Sequence, residues 1–168
     1  MKKVLFVCHG NICRSPMAEM IFKHLVSEID EKDKYFIDSA GTSDEEARYF
    51  SKMHRGTKEV LTKNNIPFTE HIARQFEIND YDKFDYIICM EQYNITNLLR
   101  IIKNDYDKKI NRLLDFSPVK KDVDDPWYHH NFDRTYEEIF DGCKNLLEHI
   151  KKKIKDQSLG LFLLKIKR

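Results

Sequence analysis

Val4-Leu5-Phe6-Val7-Cys8-His9-Gly10-Asn11-Ile12-Cys13-Arg14-Ser15-Pro16 is the stretch from which the rest of the chain is read. The apolar run Val4–Val7 reads as a strand, and a helical pattern begins after Pro16. Cys8 therefore sits where a strand ends, and Arg14 follows after five intervening residues. A loop closing between them can aim its backbone N–H groups inward. The following helix adds the positive end of its dipole, so the loop suits a bound phosphate. The same field favours the anionic, nucleophilic form of the Cys8 sulfur. Arg14 can grip two phosphate oxygens through its planar fork. The competing reading is a buried strand-end thiol beside a solvated helix-start charge. Gly10 and Asn11 inside the loop, and Ser15-Pro16 opening a helix, count against it.

Working outward, strands and helices alternate. Strands are expected at Lys3–Val7, Tyr35–Ala40, Asp85–Met90 and Ile110–Leu114. Met17, Met20, Ile21, Leu25 and Ile29 fall at helical spacing, with Ser15 as the expected N-cap and Pro16 in the first helical position. Further helices are expected near Thr57–Asn65, ending before Pro67, and over Gln92–Ile102. A long amphipathic helix is expected from Phe132 to about Ile154. This pattern implies an α/β fold: one domain with a central, parallel, four-stranded sheet and helices on both faces. Ligands bind such sheets beyond the carboxyl ends of the strands, where Cys8 and Ser39 lie, with the Asp125 loop further out. The domain is expected over residues 1–154, with residues 155–168 as a tail of unassigned role.

Composition limits the function classes. Hydrophobic residues make up 41 % and charged residues 34 % of 168 residues, ordinary for a soluble domain with a substantial core. A net charge of +1 gives no global basic field, so no nucleic-acid partner is expected. The run Lys151-Lys152-Lys153 reads as a solvated helix end. No signal-peptide-like segment precedes the first strand and no stretch is long enough to span a bilayer, so the expected location is the cytoplasm, without membrane insertion. The four cysteines, Cys8, Cys13, Cys89 and Cys143, show no Cys-x-x-Cys spacing and fit a reducing compartment. Cys8, Cys13 and His9 lack the second ligand pair a zinc site would need, so no metal is expected.

Four segments, in order, resemble the low-molecular-weight protein tyrosine phosphatase family: Cys8 to Ser15, Asp38-Ser39-Ala40-Gly41-Thr42, His71-Ile72-Ala73-Arg74-Gln75 and Asp125-Pro126-Trp127-Tyr128. The likeness covers about Lys2 to Ile150. It implies hydrolysis of phosphotyrosine in proteins or peptides without a cofactor. Cys8 would be the nucleophile that forms a phosphocysteine. Arg14 and the amides of His9, Gly10, Asn11, Ile12, Cys13 and Ser15 would bind the phosphoryl oxygens. Asp125, directly before Pro126, would be the general acid and then the general base; Asp124 is a rival by position. Pro126 restricts Asp125 to extended conformations. Ser15 would donate to the Cys8 sulfur. Asn11 would adopt a left-handed conformation, braced by Ser39 and His71. Trp127 and Tyr128 would line a cleft suited to a phenyl ring. Cys13 would pair reversibly with Cys8 under oxidants. Cys89 and Cys143 read as core residues.

The chain departs from the family after Thr42. In place of a longer variable loop it has Ser43-Asp44-Glu45-Glu46-Ala47-Arg48-Tyr49-Phe50. Tyr49 or Phe50 is expected to supply the remaining cleft wall, and the acidic trio would repel acidic peptides or attract basic ones. Competing functions are a thiol-dependent arsenate reductase, which would need further cysteines in relay, and a phosphoprotein-binding module, which would need neither Cys8 nor Asp125. A phosphoarginine substrate, the oligomeric state and the role of the apolar, basic segment 158–168 stay open.

Overall fold

A computed structural model describes the backbone of residues 1–166 and the surroundings of side chains 1–160. Strands β1 (Lys2–Cys8), β2 (Tyr35–Gly41), β3 (Tyr86–Cys89) and β4 (Ile110–Arg112) form one sheet in the order β2-β1-β3-β4. All three pairings are parallel, with Cys8 opposite Gly41 and Val7 opposite Cys89. β1 is central, which explains its unbroken apolar run: both of its faces are covered.

Side chains alternate along β1 and sort the helices into two layers. Val4, Phe6 and Cys8 point into a core shared with α1 (Arg14–Glu28), α3 (Arg55–Lys63) and α7 (Phe132–Ile166). Leu5 and Val7 point into the opposite core, with Phe76, Phe84, Tyr81 of α4 (Ile78–Lys83) and Leu98 of α5 (Gln92–Ile102). Each fully buried Leu or Phe contributes about 1.5–3 kcal/mol. Two further helices are single turns, α2 (Glu45–Arg48) and α6 (Pro126–His129).

Four elements differ from expectation by two residues or more at a boundary, each for a local reason. Ser15 is not the cap of α1. Cys13 takes the N-cap position without a side-chain hydrogen bond, and the Ser15 hydroxyl is engaged elsewhere. Pro16 is tolerated in the first turn, where N–H groups have no helical partner. α3 begins at Arg55 because His54 Nδ1 accepts from Gly56 N–H at 3.0 Å, and left-handed Asn65 lies beyond its end. β4 stops at Arg112 because the Asp115 carboxylate accepts from Arg112 N–H at 3.0 Å and closes a 3-10 turn over Leu113–Phe116. α7 continues past Ile154 to Ile166, and residues 155–160 are exposed. The expected division at 154/155 is thus a loss of packing inside one helix. The side chains of residues 161–168, expected as an apolar tail, lie outside the described residues.

Candidate active site

Three parallel strands deliver the site. β1 ends in Cys8, β2 carries Ser39 near its end, and β3 is followed by Glu91. Backbone bonds lock the first loop to the end of β2: Thr42 N–H donates to the Cys8 carbonyl at 2.9 Å and Ser43 N–H to the His9 carbonyl at 3.0 Å. The strands approach so closely that a Cβ on Gly41 would lie 2.7 Å from the His9 carbonyl oxygen.

Asn11 is the hub of the loop. It is fully buried with φ 59°, the left-handed conformation expected for it. Its carboxamide oxygen accepts from Arg74 N–H at 3.0 Å, so its NH2 must donate, to Ser15 Oγ and to Ser39 Oγ, each at 2.9 Å. His71 Nε2 lies 2.8 Å from the Asn11 carbonyl oxygen. Ser39 in turn donates to Glu19 at 2.6 Å, and Glu19 pairs with Lys23. The Ser15 hydroxyl, which accepts from Asn11, has two acceptors within reach, the Cys8 sulfur at 3.0 Å and the Ala40 carbonyl at 3.4 Å; a thiolate at Cys8, nearer and charged, would draw its proton. Asn11 N–H adds a second donor to that sulfur at 3.3 Å. A thiolate accepts both bonds, and each is stronger for an ionised acceptor.

Arg14 is 2 % exposed, and its guanidinium is fully engaged on one side. Nη1 donates to the Val123 carbonyl at 3.1 Å, while Nη2 donates to Glu91 at 3.0 Å and to Asp125 at 2.7 Å. Burial would push this guanidinium down, but Cys8, Glu91 and Asp125 more than offset that and raise it. Asp125 caps α6, accepting from Trp127 N–H at 3.0 Å in an extended conformation before Pro126. Asp124 instead pairs with Arg134, away from Arg14.

A cavity of about 500 Å³ opens over this arrangement. Cys8, His9, Gly10, Ile12, Cys13 and Arg14 form its floor, with Asp125, Trp127 and Tyr128 also against it. Asn11, Ser15, Ser39 and His71 stand behind as supports. Tyr49 does not line the cavity: it is 77 % exposed, because α2 turns it outward. The additional aromatic wall is Tyr93, in the first turn of α5. Glu19, Glu91, Arg74 and Tyr93 have site contacts that the sequence reading did not assign. Glu91 carries a readable signal, being a carboxylate just past a buried strand, as Cys8 is a thiol there. Glu19 is a charge one turn after Ser15 in an apolar helix face.

Burial pushes the Cys13 thiol up to about 12, with Cys8 and Asp125 adding to the effect. Cys89 and Cys143 are wholly buried in the two cores, as expected of core residues, and their thiols are also pushed up by burial. Among the described residues no group of three or more His, Cys, Asp or Glu is arranged to hold a metal ion, and no helix is long and apolar enough to cross a membrane.

Residues 3–156 match the family model described as low molecular weight phosphotyrosine protein phosphatase. The chain is 39 % identical over 160 residues to the low molecular weight protein-tyrosine-phosphatase PtpA of Staphylococcus aureus strain MRSA252, covering 95 % of this chain and 98 % of that one. The crystal structure of YfkJ from Bacillus subtilis superposes with a TM-score of 0.86 at 41 % identity, covering 91 % of this chain and 96 % of that one. A Drosophila arginine phosphatase superposes with a TM-score of 0.80 at 31 % identity, covering 90 % and 98 %.

Proposed function

Because the chain belongs to the low molecular weight phosphotyrosine protein phosphatase family, we propose that it hydrolyses phosphotyrosine in proteins by transferring the phosphoryl group to Cys8 and then to water. The observation that carries this reading is the convergence of Cys8, Arg14 and Asp125 on one cavity, with the Ser15 hydroxyl 3.0 Å from the Cys8 sulfur.

The Cys8 thiolate attacks phosphorus in line with the phenolic oxygen. The P–O bond to the ring breaks as the S–P bond forms. Arg14 and the loop amides hold the equatorial oxygens, whose charge is greatest in the transition state. The phosphoryl group takes over the Arg14 contact that Asp125 makes, which turns the protonated Asp125 toward the leaving oxygen. Asp125 gives that oxygen its proton. The resulting carboxylate then takes a proton from water, water attacks the phosphocysteine, and the S–P bond breaks. Ser15 stabilises the departing thiolate, and inorganic phosphate leaves.

Asp125→Ala is expected to lower kcat/KM, which reports the step in which the phenol leaves, by about 10²–10⁴-fold, the usual worth of a positioned general acid. Hydrolysis of p-nitrophenyl phosphate in EDTA should show the low end of that range, since p-nitrophenolate leaves readily. Phosphotyrosine, whose phenolate is more basic, should show the high end. Equal losses on both substrates would remove Asp125 from the acid role.

Ring recognition is assigned to Tyr93 and Trp127, 55 % and 61 % exposed at the cavity wall. A lost aromatic contact is worth about 0.5–1.5 kcal/mol. Tyr93→Ala is therefore expected to raise KM for a phosphotyrosine peptide by about 2- to 10-fold, with a smaller change in kcat. Phosphoarginine is the second reading, prompted by the similarity to the Drosophila arginine phosphatase. A matched phosphoarginine peptide has no phenyl ring and would lose less from the same substitution. A KM unchanged for both peptides would remove Tyr93 from substrate binding.

A further inference from the structure

The cavity around Cys8 is unevenly charged. Glu45, Glu46, Glu91 and Asp125 line it, and Arg14 is its one lysine or arginine side chain among the described residues. Arg14 is already paired with Glu91 and Asp125. Asp44 is paired with Arg48. Glu45 and Glu46 have no ion-pair partner among the described residues, yet they face the cavity from α2. Glu46 packs over the phosphate loop: a Cβ on Gly10 would lie 3.2 Å from its Cγ.

The segment bearing these carboxylates is held firmly. Thr42 and Ser43 tie its start to Cys8 and His9. At its other end Phe50 N–H donates to the Ala47 carbonyl and Ser51 N–H to the Glu46 carbonyl, with Phe50 forced to φ 51°. The backbone that carries the carboxylates is thus held beside the opening. A phosphotyrosine dianion seated at Arg14 brings more negative charge to the same wall. An acidic residue next to it would face Glu45 and Glu46 as like charges, while a lysine or arginine would neutralise them.

We propose that Glu45 and Glu46 select phosphotyrosine flanked by lysine or arginine, an inference that rests on the phosphatase reading above. The test uses two phosphotyrosine peptides identical except for flanking lysines in one and flanking glutamates in the other. kcat/KM is measured for the native chain and for the double variant Glu45→Gln/Glu46→Gln. The native chain is expected to favour the basic peptide by about tenfold at low salt, the combined effect of two exposed charge pairs gained and two repulsions avoided. The ratio should fall toward one in the double variant. It should also fall in the native chain near 1 M salt, where the screening length is about 3 Å. Taking a ratio cancels any change the variant makes to the chemistry itself. A native ratio near one, with both peptides hydrolysed, overturns the inference and leaves the phosphatase reading standing. A ratio kept in the double variant overturns the assignment to these two glutamates. Failure to hydrolyse either peptide or p-nitrophenyl phosphate overturns the phosphatase reading and this inference with it.

Discussion

Cys8→Ser is expected to reduce turnover of p-nitrophenyl phosphate by about 10⁶-fold, the scale seen when an enzyme loses its nucleophile. The loop around Cys8 is arranged for sulfur that carries charge. Asn11 N–H donates to it at 3.3 Å, and the Ser15 hydroxyl lies 3.0 Å away, able to donate to a thiolate. A serine hydroxyl at that place would keep its own proton, because no base in the loop is positioned to take it. The replacement removes the nucleophile while leaving the phosphate cradle, since Arg14 draws its orientation from Val123, Glu91 and Asp125 and not from Cys8. The variant should therefore still bind a phosphotyrosine peptide, with a Kd that calorimetry measures and that inorganic phosphate raises by competition. That pairing of lost turnover with kept binding separates a cysteine-dependent enzyme from a phosphoprotein-binding module. Acid quenching of the native chain during turnover should also leave one phosphoryl group on the peptide containing Cys8. Retention of more than about one per cent of turnover in the serine variant, or a phosphoryl group on another peptide, would place the nucleophile elsewhere.

The parts of this molecule that could be read from its sequence are those whose signal is local. β1 and the loop after it announce themselves because strand, turn and helix chemistry all change within thirteen residues. The strands show as apolar runs, and the three longest helices have enough residues to show their period. α2, α4 and α6 have at most six residues each, too few for a helical period to emerge from composition. The direction of Tyr49 was illegible for the same reason, because it depends on α2 being a helix rather than an open loop. Ser15 looked like a cap because serine before an apolar helix usually is one. Its hydroxyl is claimed instead by Asn11 and Cys8, and Asn11 is itself fixed by Ser39 and Arg74, 28 and 63 residues away. Glu91 is a similar case. As the residue before a helix it reads as a cap, and its contact with Arg14 spans 77 residues. What escaped the sequence is thus the long-range partner of a polar side chain, which no local pattern encodes.

Arg14→Lys should lower kcat by about 10³–10⁵-fold, the range that a charge-stabilising arginine supplies in phosphoryl transfer. Lysine is the informative replacement because it keeps a cation between Glu91 and Asp125, whose side chains are only 25 % and 22 % exposed. Alanine would leave both carboxylates and the Val123 carbonyl without their shared donor, and a loss of folding would mask the loss of chemistry. The guanidinium does two things that an ammonium cannot do together. It has five N–H donors where an ammonium has three, so it can keep the Val123 carbonyl and Glu91 and still present N–H groups to the phosphoryl oxygens once phosphate takes the place of Asp125. An ammonium spends its three protons on the protein partners or on the phosphate. Competitive inhibition by inorganic phosphate should therefore weaken in the lysine variant, while the thermal melting temperature changes little. The loss in kcat should exceed the loss in phosphate affinity, because the equatorial oxygens carry more charge in the transition state than in the bound product. A lysine variant within tenfold of the native kcat would mean that the loop amides alone carry the transition-state charge and that Arg14 serves mainly to hold Asp125 and Glu91 in place.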